Sequence, residues 1–95
     1  MGNVQTKMKH VSFALCLDQC VFVPGDSSGS DETYVGKAAT PEQCFKDVMT
    51  HDPPISGVNG VTWGGGGTNC YAEIGATHVD TDKRSWKTCI FNRKF

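Results

Sequence analysis

Apolar positions near the middle of this chain repeat with the spacing of one helical face. They are Cys44, Phe45, Val48 and Met49. The preceding segment predicts the helix start, because Thr40 can cap the first turn, Pro41 suits the first helical position and Gln43 completes a capping box. Asp52-Pro53-Pro54 ends the helix, since proline lacks an amide and restricts the residue before it. A helix of about ten residues is unstable alone in water, so it must pack on other elements.

Beyond residue 57 the pattern changes to the short runs and two-residue period of strands. Three segments predict strands: Val58–Trp63, Asn69–Ile74 and Trp86–Phe91. Before the helix, Cys20–Val23 is a strand-like run that Pro24-Gly25 ends, and Tyr34-Val35 is a short extended piece. Asp26–Glu32 is a polar loop by composition. We therefore expect an α+β fold, with one short helix packed on a small antiparallel sheet.

Four consecutive glycines, Gly64–Gly67, separate two of the predicted strands. A phosphate-binding P-loop would require a lysine and a helix directly afterwards, and neither follows here. A dinucleotide-binding motif would require a long βαβ unit. Gly64–Thr68 is therefore predicted to form a hairpin turn, because glycine allows positive φ angles. The turn leaves a flexible tip beside Trp63, and loop tips are common sites of binding.

The cysteine count indicates the cellular compartment in which the protein folds. The chain has 95 residues, enough for one small domain, and 38% of them are hydrophobic, so its core is marginal. Five cysteines in so short a chain indicate an oxidised, secreted protein. Reduced cysteines that pack in the core of an intracellular domain are the alternative.

The charge balance bears on the choice of partner. A net charge of −1 gives no support for binding to nucleic acid or to an anionic membrane, and no apolar run reaches the ~20 residues of a membrane span. Basic residues collect near the end of the chain: Lys83, Arg84, Lys87, Arg93 and Lys94. They could contact a sulfated glycan or an acidic partner, or they could be ordinary solvated charges.

Residues 1–19 permit two interpretations. Cationic positions within Met1–His10 precede the apolar segment Val11–Leu17, an arrangement found in secretory leaders. The apolar segment is as short as leaders allow, so residues 1–19 are either a leader remnant or a first strand.

Four of the cysteines fall where bridges would join distant parts of the chain. Cys44 is on the inner face of the predicted helix and Cys70 on the inner face of a strand, so a bridge between them would attach helix to sheet. Cys20 begins the ordered chain and Cys89 nearly ends it, so a second bridge would join the two ends. Cys16 would then be left without a partner in either bridge.

Four segments taken in order resemble the PAN/Apple domain family: TPEQCFKDVM, GVNGVTW, NCYAEIG and SWKTCIF. The resemblance covers residues 20–91 and leaves 92–95 as a basic tail. It implies a cysteine-bearing helix on a small antiparallel sheet, with the pairs Cys44–Cys70 and Cys20–Cys89. Many members carry a further helix cysteine where this chain has Val48, so the chain resembles a short, two-disulfide variant. The family implies an extracellular, non-enzymatic module that binds carbohydrate or protein, without a cofactor.

Two other classes remain as alternatives. Cys16 and Cys20 could hold zinc together with His51 or His78, although structural zinc sites usually show two close ligand pairs. A secreted defence peptide is the other, although such peptides usually hold more cysteines in fewer residues. No arrangement of nucleophile, base and orienting group indicates catalysis.

The candidate ligand-binding residues are Trp63, Tyr71 and Glu73. The strand alternation predicts that they share the outward face of the hairpin, opposite Cys70. Exposed aromatic rings on a sheet can stack on sugars or anchor a protein partner. In the competing interpretation Trp63 belongs to the core, Tyr71 partly covers it and Glu73 is plain surface. Trp86 is most simply a core residue.

Overall fold

The computed structural model describes residues 20–91, which are organised by a five-stranded antiparallel sheet. The elements are β1 Val23–Pro24, β2 Asp26–Ser28, β3 Asp31–Lys37, α1 Pro41–Met49, β4 Val58–Gly64, β5 Asn69–Ile74, β6 His78–Asp80 and β7 Trp86–Ile90. The strand order in the sheet is β1-β7-β4-β5-β3, while β2 and β6 pair in a separate two-stranded ribbon. No helix within residues 20–91 is long and apolar enough to cross a membrane. The predicted α+β class is confirmed.

Helix α1 begins where the sequence predicts and ends at Met49, with Thr50 as its C-cap, shortly before the predicted stop at Asp52. The Thr40 hydroxyl accepts a hydrogen bond from the Gln43 amide at 3.0 Å, and Pro41 occupies the first turn. The buried side chains of the helix are Cys44, Phe45 and Val48, which face the sheet. The apolar spacing therefore sets which side of the helix is buried.

The hydrophobic core lies between α1 and the middle strands of the sheet. Val61 of β4 and Ala72 of β5 pair directly and are completely buried, and Cys89 of β7 pairs with Val61 on its other side. Phe91 packs edge-to-face on Phe45 of the helix, with their ring centroids 5.8 Å apart. The core is small, as the modest hydrophobic content predicts.

Two disulfide bonds reinforce this small core, and both predicted pairs are confirmed. Cys44–Cys70 joins α1 to β5. Cys20–Cys89 joins the beginning of the described chain to β7, with the two Cα atoms 5.7 Å apart. Closing loops of 26 and 69 residues contributes about 3.5 and about 4.4 kcal/mol to the free energy of unfolding in the chain-entropy model. Cys16 lies outside the described residues, as do the predicted leader and the basic tail 92–95.

The ribbon is the part of the fold that the sequence did not predict. Asp26–Glu32 was expected to be a polar loop, but β2 pairs with β6 and β3 already begins at Asp31. The ribbon lies against the sheet face opposite the helix, where the Thr88 hydroxyl donates to the Gly25 carbonyl at 2.8 Å. The polar-loop prediction is wrong because the partners of these polar residues are distant in sequence.

Replacing Cys44 and Cys70 together by alanine should lower the free energy of unfolding by about 3.5 kcal/mol, because the unfolded chain regains the entropy of an open loop. Urea denaturation followed by tryptophan fluorescence measures the change. Thr40→Ala is the matched control on the same helix, since it removes only the cap and should cost about 1 kcal/mol. A double variant no less stable than this control would contradict the contribution assigned to the bridge.

Candidate functional site

Trp63 lies on the helix side of the sheet and not on the predicted outward face. It pairs directly with Cys70, and directly opposed residues of antiparallel strands point to the same side. Its indole N–H donates to the Ala38 carbonyl at 2.8 Å, and its half-buried ring packs against the core. The prediction that Trp63 shares a face with Tyr71 is therefore wrong, and the competing core interpretation describes it better.

Glu73 does lie on the face opposite Cys70, but it is completely buried. The β2–β6 ribbon and the connection from β2 to β3 lie over this part of the sheet. Ser30 belongs to that connection, and its hydroxyl donates to Glu73 Oε1 at 2.7 Å. Since that donation uses the only hydroxyl proton of Ser30, Ser27 must donate to Ser30, 2.7 Å away. Neither the exposed ligand-binding role nor the plain-surface role predicted for Glu73 fits this position, because both ignored the ribbon.

Tyr71 belongs to a row of three aromatic rings on the face opposite the helix. The row, called here the aromatic row, consists of Tyr34, Tyr71 and Trp86. The ring centroids of Tyr34 and Tyr71 are 5.2 Å apart, and those of Tyr71 and Trp86 are 5.8 Å apart in an edge-to-face arrangement. Tyr34 is 52% exposed, whereas the other two rings are half-buried. The row is therefore a series of aromatic rings in contact, with its most open end at Tyr34.

The strand register explains why these rings meet. Tyr34 of β3 pairs directly with Tyr71 of β5. Trp86 lies on β7, one strand beyond β4, and its direct partner on β4 is Gly64. The direct partner of Tyr71 on β4 is Thr62, whereas Gly64 opposite Trp86 has no side chain and leaves room for the indole to reach Tyr71.

The glycine run forms the predicted hairpin turn between β4 and β5 and also supports the aromatic row. Gly65 has a φ of +74°, and a Cβ atom placed on it would overlap the six-membered ring of Trp86. Gly66 has a φ of +85°, but a Cβ atom there would meet nothing within 4 Å. The run thus serves two purposes: positive φ angles for the turn and a flat backbone surface for Trp86.

Polar groups border the Tyr34 end of the row. The Asn69 side-chain oxygen accepts from the Tyr34 hydroxyl at 3.4 Å and from the Lys37 ammonium at 3.3 Å. Both distances are long for hydrogen bonds, so these groups can change partners at small cost when a ligand arrives. The border therefore supplies a carboxamide, a phenol and a positive charge beside exposed aromatic surface.

Three carboxylates form a second cluster on the same face. One oxygen each of Asp26, Glu32 and Glu73 lies within 4.8 Å of the others, and we call this group the carboxylate cluster. Burial raises the pKa of Glu73, and the Ser30 hydrogen bond opposes that shift. Partial desolvation and then the charge of Asp26 raise the pKa of Glu32. These are the described residues best placed to hold a metal ion.

The structure weakens the zinc alternative. Cys20 is bonded to Cys89 and cannot supply a thiolate. His51 Nδ1 lies 2.8 Å from the Pro53 carbonyl, and His78 Nδ1 lies 3.0 Å from the Thr77 hydroxyl. All four cysteines between residues 20 and 91 are in bridges, so within that range no thiol is available as a nucleophile or ligand.

The comparisons with known proteins identified no relative of this chain. The chain matches no protein-family model, and no similar curated protein or solved structure was found. The PAN/Apple resemblance therefore stays a hypothesis that rests on the four sequence segments.

Sequence reasoning missed Tyr34 and Trp86 as members of the site. Trp86 was expected in the core, and the short Tyr34-Val35 piece gave no sign of the seven-residue strand β3. Lys83, Arg84 and Lys87 are exposed, as a solvated basic patch would be, and the other two basic residues lie outside the described range. Only the pairing of β3 with β5 could have placed Tyr34 beside Tyr71, and that pairing is not a local property.

Gly65→Ala should destabilise the protein more than Gly66→Ala, although both residues have positive φ. Backbone strain costs each variant about 1–2 kcal/mol, but only Gly65→Ala also collides with Trp86. Urea denaturation gives the stability difference, and the indole N–H signal of Trp86 in the NMR spectrum should shift only in Gly65→Ala. Equal stability and an unmoved Trp86 signal in both variants would mean that Gly65 does not support the ring.

Proposed function

We propose that this protein is a non-enzymatic extracellular module that binds carbohydrate on the aromatic row. The observation that carries the proposal is the row of contacting aromatic rings from Tyr34 through Tyr71 to Trp86, with Tyr34 exposed at its end. The faces of aromatic rings are negative, and they attract the polarised C–H groups on the apolar side of a sugar ring. Tyr34 is the ring most open to such a ligand.

The polar border of the row suits a sugar better than a purely apolar partner. Asn69 and the Tyr34 hydroxyl can exchange their long mutual contact for hydrogen bonds to sugar hydroxyls. Lys37 lies at the same place and would favour an acidic sugar over a neutral one. Stacking surface beside a few directional polar groups is the usual chemistry of small-molecule recognition.

The extracellular assignment rests on the two disulfide bonds. Disulfides form and persist in oxidising compartments, and small secreted domains depend on them because their cores are small. The same compartment contains the glycans that the aromatic row would bind. The resemblance to PAN/Apple domains agrees with this compartment and with a binding role.

A protein partner is the second candidate for the same surface. Tyrosine and tryptophan are enriched at the centres of protein interfaces, so Tyr34 and Trp86 could serve as anchors. The long hydrogen bonds of Asn69 favour a ligand that is rich in hydroxyl groups, and for that reason carbohydrate is placed first.

Tyr34→Ala should weaken carbohydrate binding about tenfold, which corresponds to about 1.4 kcal/mol of lost stacking. A glycan array that includes acidic sugars identifies the ligand, and NMR titration of the oxidised protein then gives the affinities. Val23→Ala is the matched control, because Val23 is also an exposed apolar residue but lies at the opposite edge of the sheet. This control should bind with unchanged affinity.

Two results would contradict the carbohydrate assignment. One is an array without any ligand, and the other is a ligand bound equally well by Tyr34→Ala and by the unmodified protein. Selective binding of an extracellular protein that Tyr34→Ala abolishes would move the assignment to the second candidate.

A further inference from the structure

We propose that the carboxylate cluster, Asp26, Glu32 and Glu73, is a binding site for a divalent cation with oxygen ligands, and that this cation is calcium. The three residues come from β2, β3 and β5. Nothing in the proposed carbohydrate function requires the cation, so this inference stands on separate observations.

The geometry of the cluster fits one ion. Glu32 and Glu73 are direct partners across β3 and β5, so their side chains leave the sheet on the same face. The ribbon brings Asp26 over them, and one oxygen of each residue lies within 4.8 Å of the others. Calcium binds oxygen at about 2.3–2.6 Å, so two ligands on opposite sides of it are about 5 Å apart. All three oxygens can therefore contact the same ion.

The burial and hydrogen bonding of Glu73 are an independent observation that points to a cationic ligand. Its side chain is completely buried, and Oε2 has no hydrogen-bond partner among the described residues. A buried carboxylate oxygen without a partner is costly, and a nearby carboxylate adds repulsion. Among the described residues, the groups near the Glu73 carboxyl are the hydroxyls of Ser30, Thr62 and Ser27 and the carboxylates of Glu32 and Asp26, and none of them is a cation.

No neighbouring hydroxyl group of the described residues makes a hydrogen bond to this oxygen. Thr62 lies beside Glu73, but Thr88 uses its own proton for the Gly25 carbonyl, so the 2.9 Å contact between the two threonines requires Thr62 to donate. Ser30 already donates to Oε1 of Glu73. The protons of these hydroxyl groups therefore go to other acceptors, and Oε2 is left without a donor.

The chemistry of the donors selects calcium among the common divalent ions. All three ligands are carboxylates, without histidine or thiolate, which disfavours zinc and copper. Asp26 is half-buried and Glu32 is exposed, so water can complete the coordination on their side. Calcium accepts irregular sets of six to eight oxygens, whereas magnesium requires a near-ideal octahedron. Sites in extracellular modules bind calcium with Kd values of about 10⁻⁴–10⁻³ M, and a site of this openness belongs in that range.

Calcium titration of the full-length, oxidised protein tests the proposal. Calcium added after chelator treatment, at constant ionic strength, should raise the Tm of the unmodified protein and saturate near the millimolar range. Terbium is a luminescent substitute for calcium. Tyr71 lies two residues from Glu73 on the same strand face, about 7 Å along the strand, so its excitation should sensitise bound terbium, and calcium should quench that emission by competition.

Three variants make the test specific. Glu73→Gln and Glu32→Gln should each lose the calcium-dependent rise in Tm and the sensitised emission. Asp31→Asn is the matched control, because it removes one charge from the adjacent position of β3, whose side chain points away from the cluster. Asp31→Asn should keep both responses. In chelator, Glu73→Gln should be at least as stable as the unmodified protein, because the neutral amide removes a buried charge, so its lost response cannot be attributed to unfolding.

The possible outcomes distinguish a specific calcium site from general screening of surface charge. An unchanged Tm in about 10 mM calcium, roughly tenfold above the weak end of the extracellular range, would overturn the proposal. A response that persists in Glu73→Gln would also overturn it, and so would one that Asp31→Asn loses equally, because general screening of surface charge would then account for it. Loss in Glu73→Gln and Glu32→Gln with retention in Asp31→Asn would establish the site.

Discussion

The register between β4 and β5 is the constraint on which the other features depend. It places Trp63 opposite Cys70 on the helix side, so Cys70 meets Cys44 and the disulfide can form. The same alternation sends Tyr71 and Glu73 to the other side. A slip of one residue would move each side chain of β5 to the wrong face. The glycine turn fixes this register, and the cross-link on one face and the candidate site on the other therefore have one geometric cause.

The features that sequence reasoning found are those with local signals. The cap at Thr40 and the prolines after residue 52 define the helix, whose apolar spacing identifies its buried side. The alternation within Asn69–Ile74 gives β5 its observed bounds. The cysteines lie on faces that local periodicity can assign, and so both bridges could be predicted together with the α+β class.

The features that it missed depend on partners far apart in the chain. Ser30 contacts Glu73 across 43 positions, and Asp26 pairs with Asp80 in the ribbon. A run of aspartate, serine and glycine resembles a loop unless its distant partner is known, because burial here comes from hydrogen bonding and not from apolar periodicity. Glu73 is an example: the strand alternation predicts it on the outer face of β5, yet the ribbon buries it completely.

The bridge between Cys20 and Cys89 has a mechanical consequence. Cys20 and Cys89 lie near the two ends of the described range, and their Cα atoms are only 5.7 Å apart and covalently joined. Tension along the polypeptide would therefore pass through the sulfur atoms, and the hydrogen bonds between the strands would carry almost none of it. The aromatic row and the carboxylate cluster lie within the unloaded loop, so a ligand held there would keep its binding geometry while the chain is pulled.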